Sequence, residues 1–140
     1  MNSLHYLCMK TYLQMKRLVT AQVTPLGLSP GQPKILEFLA EHGEHEQKDN
    51  AEYCEIEPAT VGSILLRMET AGLIMRRNRP NNRRSLYVSL TPKGEEMAQI
   101  LQGVFACAEE QITAGLTKEE KTTLMELLKK CVQDGKGNLE

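Results

Sequence analysis

Tryptophan is absent from this 140-residue chain, and phenylalanine and tyrosine together supply only 4% of it. A core without bulky rings has to be built from Leu, Ile, Val, Met and Ala. With few β-branched runs, that mix favours helices. No run of eighteen apolar residues occurs, so no transmembrane helix is expected. The first residues, Met1-Asn2-Ser3-Leu4-His5-Tyr6-Leu7, lack the basic and apolar regions of a secretory signal, and a cytoplasmic location is the expectation. Cys8, Cys54, Cys107 and Cys131 are widely spaced and form no CxxC pair. They fit neither a zinc site nor a disulfide framework, and cytoplasmic thiols stay reduced. His42-Gly43-Glu44-His45 brings two imidazoles together without a convincing third ligand, so a solvated loop is expected there and no metal. There is no nucleophile motif, phosphate loop or paired-carboxylate spacing, so neither enzymatic activity nor a cofactor is expected.

What is present is an ordinary globular balance, 41% apolar and 25% charged, in a length that suits one domain or a small domain plus an oligomerisation element. The formal net charge is −1. Against that background one stretch stands apart. Residues Arg76-Arg77-Asn78-Arg79-Pro80-Asn81-Asn82-Arg83-Arg84-Ser85 hold five arginines and no acid. Apolar runs flank the stretch, Leu73-Ile74 before it and Leu86-Tyr87-Val88 after it. The pattern predicts a β-hairpin with an arginine-rich tip. Such a tip is either a solvated charged loop or a surface for a polyanion, of which nucleic acid is the commonest.

Periodicity places helices on both sides of the hairpin. Residues 3–23 carry Leu4, Leu7, Cys8, Met15, Leu18 and Val19 near one stripe, broken by Pro25-Leu26-Gly27. A second helix is predicted from Ser29-Pro30, a cap followed by proline, to His42-Gly43. A short helix spans about Glu46 to Cys54, with Ala51 and Cys54 buried. After the turn Glu55-Ile56-Glu57-Pro58 comes a helix with Val61, Ile64, Leu65 and Met68 on one stripe and Gly72 as its left-handed cap. Past the hairpin, Thr91-Pro92 caps a helix over roughly 92–114. Thr117-Lys118-Glu119-Glu120 is a capping box for a last helix to about Gln133, and Asp134–Asn138 is expected to fray.

Helix, short helix, tight turn, helix and β-hairpin, in that order, make a winged helix-turn-helix. Its second helix must bury one face and offer the other to the DNA major groove. On 58–71 the outward face carries Ala59, Thr60, Gly62, Ser63 and Arg67. Small residues at the N-terminal end let the helix approach bases and phosphates, and its unbonded N–H groups favour an anion. A plain solvated face would carry more Lys and Glu. Arg79, Arg83 and Arg84 are the candidates for the minor groove, with Ser85 beside them. Arg76 and Arg77 alternate at the wing base, one reaching phosphate and the other structural.

Ser29-Pro30-Gly31-Gln32, Ala51, Ala59-Thr60-Val61, Gly72-Leu73-Ile74, Arg76, Asn82-Arg83-Arg84-Ser85 and Leu90-Thr91-Pro92-Lys93-Gly94 closely resemble the MarR (multiple antibiotic resistance regulator) family. The motifs run from about residue 28 to 95, and the helix order extends over the chain. The resemblance implies a mainly α fold with a small β-hairpin wing, in which residues 28–91 are the DNA-binding lobe and 1–27 with 92–140 the dimerisation region. It implies a homodimer on double-stranded palindromic DNA, most simply a repressor. A small-molecule effector would change the separation of the two recognition helices. Apolar stripes with no other core to bury them support the dimer independently.

Two departures from the family pattern stand out. The wing acid that usually holds an arginine is replaced by Asn82, and the short helix opens with Asn50-Ala51 instead of an apolar pair, which predicts local irregularity. Two other functional readings stay open from the residues. One is a winged helix that binds protein instead of DNA. The other is a regulator that senses oxidants through Cys8.

Overall fold

The structure is a computed structural model. It describes residues 2–139, and the side chains of these except at positions 82, 83 and 134–139. Helix α1 (Leu4–Val23) is capped by Ser3, whose hydroxyl accepts from the Tyr6 N–H at 3.1 Å. A 3-10 turn over Thr24–Leu26 then reverses the chain through Gly27.

Helix α2 (Gln32–His42) starts two residues later than the cap Ser29 followed by Pro30 suggests. Gly31 is its cap and sits in the left-handed region at φ 91°, where glycine carries no steric penalty. Pro33, not Pro30, occupies the first turn. The Ser29 N–H donates to the Gln32 side chain at 3.4 Å, so the capping runs opposite to the expected direction. A Cβ on Gly31 would stand 2.7 Å from Ile64 Cδ1, so the turn packs directly on the helix that follows the short one.

Strand β1 (His45–Glu46), helix α3 (Gln47–Tyr53) and helix α4 (Pro58–Thr70) come next. Strands β2 (Ile74–Arg79) and β3 (Asn82–Leu90) form the hairpin. The wing is a three-stranded antiparallel sheet of order β1-β3-β2, not the expected two strands. His45 pairs with Val88 and Glu46 with Tyr87. Two residues are too short a strand to leave a periodic signal.

Asn50 corrects another expectation. It is fully buried, and its Nδ2 donates to the Glu46 carbonyl at 2.9 Å, one turn back. The bond serves Nδ2 alone, since Oδ1 is buried without a partner, yet α3 stays regular and Ala51 and Cys54 are buried as the pattern requires.

The core joins α2 (Ile35, Leu36), α4 (Val61, Leu65, Met68), the sheet (Ile74, Val88) and Leu101. Leu101 lies on helix α5 (Pro92–Ile112). The last helix, α6 (Lys118–Leu139), has the expected capping box. Glu120 N–H donates to Thr117 Oγ1 at 3.1 Å, and Thr117 N–H donates to Glu120 Oε1 at 2.8 Å. The expected fraying over Asp134–Asn138 falls on positions outside the described side chains. Leu124, Leu127, Leu128 and Val132 on α6 are exposed, as are Leu4, Leu7 and Tyr12 on α1. No helix among the described residues is long and apolar enough to cross a membrane.

The entry to α5 explains the Leu-Thr-Pro-Lys-Gly run. Thr91 caps the helix, accepting from the Gly94 N–H at 3.1 Å, while its own N–H donates to the Leu73 carbonyl at 3.1 Å. Lys93 Nζ donates to the Ala71 carbonyl at 2.8 Å, a cation on the last carbonyls of α4. A Cβ at position 94 would lie 2.0 Å from the Leu73 carbonyl oxygen, so only glycine lets the two backbones meet. Replacing Gly94 with alanine is therefore expected to cost about 2 kcal/mol or more, in the range of overpacking. Urea denaturation monitored by circular dichroism would read the loss.

Candidate nucleic-acid interface

Helix α4 buries Val61, Leu65 and Met68 and half-buries Ile64, which leaves the opposite face to solvent. Ala59, Thr60, Ser63 and Arg67 are all exposed on it. So is Leu66, 54% exposed, an outward aliphatic side chain that the apolar stripe did not single out. Pro58 opens the helix and no side chain caps it, so its first N–H groups remain available to an anion.

The wing begins at Leu73, directly after Gly72, which takes the left-handed conformation at φ 78°. Cross-strand pairing of Arg76 with Val88 and of Arg77 with Tyr87 sends the two arginines to opposite faces. Arg76 is the inward one. Its side chain is 17% exposed and pairs with Glu69 of α4 at 3.2 Å, which ties the wing base to the recognition helix. Its Nε is buried without a partner. Arg76 thus holds the wing instead of facing outward with the rest of the candidate set.

Arg77 and Arg79 point the other way and converge on Glu44. The Arg77 Nη2 lies 2.9 Å and the Arg79 Nη2 3.3 Å from its two carboxylate oxygens. The Arg79 guanidinium also stacks over the Tyr87 ring, 4.3 Å from its centroid. The Tyr87 hydroxyl donates to Glu46 Oε1 at 3.1 Å, and that hydrogen bond raises the phenol pKa above its ordinary value.

At the tip, Asn81 adopts φ 71°, a left-handed conformation that asparagine tolerates. A bulge separates Asn78 from Arg79, and the Asn78 side chain donates to the Ser85 carbonyl at 3.2 Å. Exposed Arg84 and half-buried Ser85 line a cavity of about 260 Å³. Lys48 of α3 and Pro58 and Val61 at the start of α4 line it too, so the wing adjoins the N-terminus of the recognition helix. The side chains of Arg83 and of Asn82, the substituted wing acid, lie outside the described residues.

His42 ends α2 and His45 opens β1, and both rings pack against Phe38 instead of standing in a solvated loop as the sequence suggests. Cys54 is buried, which pushes its thiol up to about 11, while Cys8 is exposed on α1. Glu44 and Tyr87 leave no signal in the sequence because each acts through a partner distant along the chain, and Glu69 because its partner lies across the turn into the wing.

A model of the MarR family matches residues 28–86. The homoprotocatechuate degradative operon repressor of Escherichia coli is 34% identical over 114 residues, covering 81% of this chain and 76% of the repressor. The chain belongs to the MarR family. A mutant E. coli MarR complexed with operator DNA has the same fold, with a TM-score of 0.81 at 23% identity over 91% of this chain and 92% of that one. Bordetella bronchiseptica BpsR, described with regulation of its DNA binding by 6-hydroxynicotinic acid, superimposes with a TM-score of 0.84 at 21% identity, over 94% and 99% of the two chains. In this MarR-family chain, Arg76 and Arg77 therefore divide one motif into an anchor and an outward cation. Glu69→Gln should cost about 1.5 kcal/mol of stability, the scale of a hydrogen bond to a charged group. Arg77→Ala should stay within about 0.5 kcal/mol, as an exposed substitution does. Paired urea titrations would compare them, and equal losses would contradict the division.

Proposed function

We propose that this chain is a sequence-specific transcriptional repressor that binds double-stranded DNA as a homodimer. The observation that carries the reading is the junction at the start of α4. An uncapped helix N-terminus with small exposed residues stands beside a wing bearing exposed arginines. Ala59, Thr60, Ser63 and Arg67 would enter the major groove, where hydroxyls and a long cation reach base edges and phosphates. Arg77, Arg79, Arg83 and Arg84, with Ser85, would lie along the backbone and the adjoining minor groove, where negative potential is focused. Arg76 would contribute by holding the wing.

The dimer reading rests on α1, α5 and α6. A groove of about 510 Å³ between them is lined by Met15, Ile112, Leu124, Met125 and Leu128. A second copy would bury these side chains and the exposed leucines of α6, which otherwise leave a long helix without a packed face. Two-fold symmetry then requires a palindromic site with half-sites about one helical turn apart. The repressor and effector parts of the reading are supported by the relatives' described roles. An effector between the lobe at 28–91 and the helices at 1–27 and 92–140 would respace the recognition helices.

Fluorescence anisotropy on duplexes from upstream of the gene, across salt, tests the proposal. Affinity should depend on an intact palindrome and fall by several orders of magnitude between low and moderate salt, as about six phosphate contacts require. The Arg79→Ala/Arg84→Ala variant should bind weakly with a salt slope reduced by about 2. Binding indifferent to salt and sequence would favour a protein-interaction module instead.

A further inference from the structure

Glu44 is the one acid that reaches two of the outward wing arginines among the described residues. It stands just after Gly43, the cap of α2, and just before β1, whose pairing with β3 fixes it beside the hairpin. Its Oε2 accepts from both Nε and Nη2 of Arg77, at 3.1 and 2.9 Å, which holds that guanidinium by two nitrogens. Its Oε1 takes Arg79 at 3.3 Å, and the Tyr87 ring under Arg79 fixes the second guanidinium from its face. Tyr87 is itself held by Glu46 on β1.

Exposure shows which group stands in front. The arginine side chains are 65% and 55% exposed, whereas Glu44 is 20% exposed. The carboxylate therefore sits behind the two cations and leaves their outer edges open. The cluster of two arginines and the one Glu44 carboxylate keeps one net positive charge.

We propose that Glu44 is a positioning residue for DNA recognition, an acid clamp on the wing contributed by a segment more than thirty residues away in sequence. This rests on the DNA-binding reading above. Two flexible cations that are already ordered lose less freedom on binding one particular backbone path. The clamp also subtracts a charge, which weakens attraction to any duplex regardless of sequence. Both effects act in one direction on discrimination. Glu44 gives up non-specific affinity and raises the ratio of specific to non-specific binding.

The test uses the full chain and two probes, a duplex that the wild type enriches from a random pool and a scrambled duplex of the same composition. Glu44→Ala should bind the scrambled duplex at least as well as wild type. Its specificity ratio should fall about tenfold, equivalent to about 1.4 kcal/mol. The same substitution in an Arg77→Ala/Arg79→Ala background should leave the ratio unchanged, because the groups it positions are gone. An unchanged ratio in Glu44→Ala overturns the clamp. So does an equal fall in both backgrounds, which would mark a general structural role. If the wild type itself enriches no duplex, the DNA-binding reading fails and the clamp fails with it.

Discussion

The Leu73 carbonyl is the point on which the arrangement turns. It accepts the Thr91 N–H, and Gly94 presses against it so closely that no side chain fits between. Thr91 also donates its hydroxyl to Gly72, and Lys93 reaches the Ala71 carbonyl. Three elements meet within a few residues: the end of α4, the start of β2 and the first turn of α5. The angle between recognition helix and wing is fixed there by backbone contacts, which are less adjustable than side-chain packing. These contacts join the first turn of α5 to the end of α4 and the start of the wing, so a displacement of α5 would be passed to both. In the repressor reading, that is how a change in the long helices becomes a change in recognition-helix spacing.

Charge is arranged with similar economy. A chain of formal net charge −1 gathers five of its 17 Lys and Arg in the wing and restrains Arg76, Arg77 and Arg79 with acids from other elements. Glu69 on α4 draws Arg76 inward and locks the wing base. Glu44 draws Arg77 and Arg79 together but leaves them exposed. The same ion-pair chemistry thus builds an anchor in one place and a prepared surface in the other, and burial of the arginine makes the difference.

Most of this was legible where the chemistry is local. The stripe Val61-Leu65-Met68 and the capping box at Thr117 depend on neighbours within a turn or two, and each lies where the local pattern puts it. Misplacements arose where a distant partner decides the outcome. Gly31, not Ser29, caps α2 because that turn must pack on Ile64. Strand β1 exists only through pairing with β3, forty residues later. For the same reason the alternation of Arg76 and Arg77 was readable, but which of the two faces inward was not. That depended on where Glu69 and Glu44 stand.

Hydroxyl-radical footprinting of the wild-type protein on a duplex it has enriched would test the central claim most directly, because it reads groove contacts and symmetry together. Two winged helices related by a dyad should protect the backbone in a pattern symmetric about the palindrome centre. The recognition half-sites should lie about one helical turn apart, with minor-groove protection where the wings lie. A single protected tract without a dyad, or uniform weak protection along the duplex, would contradict the account.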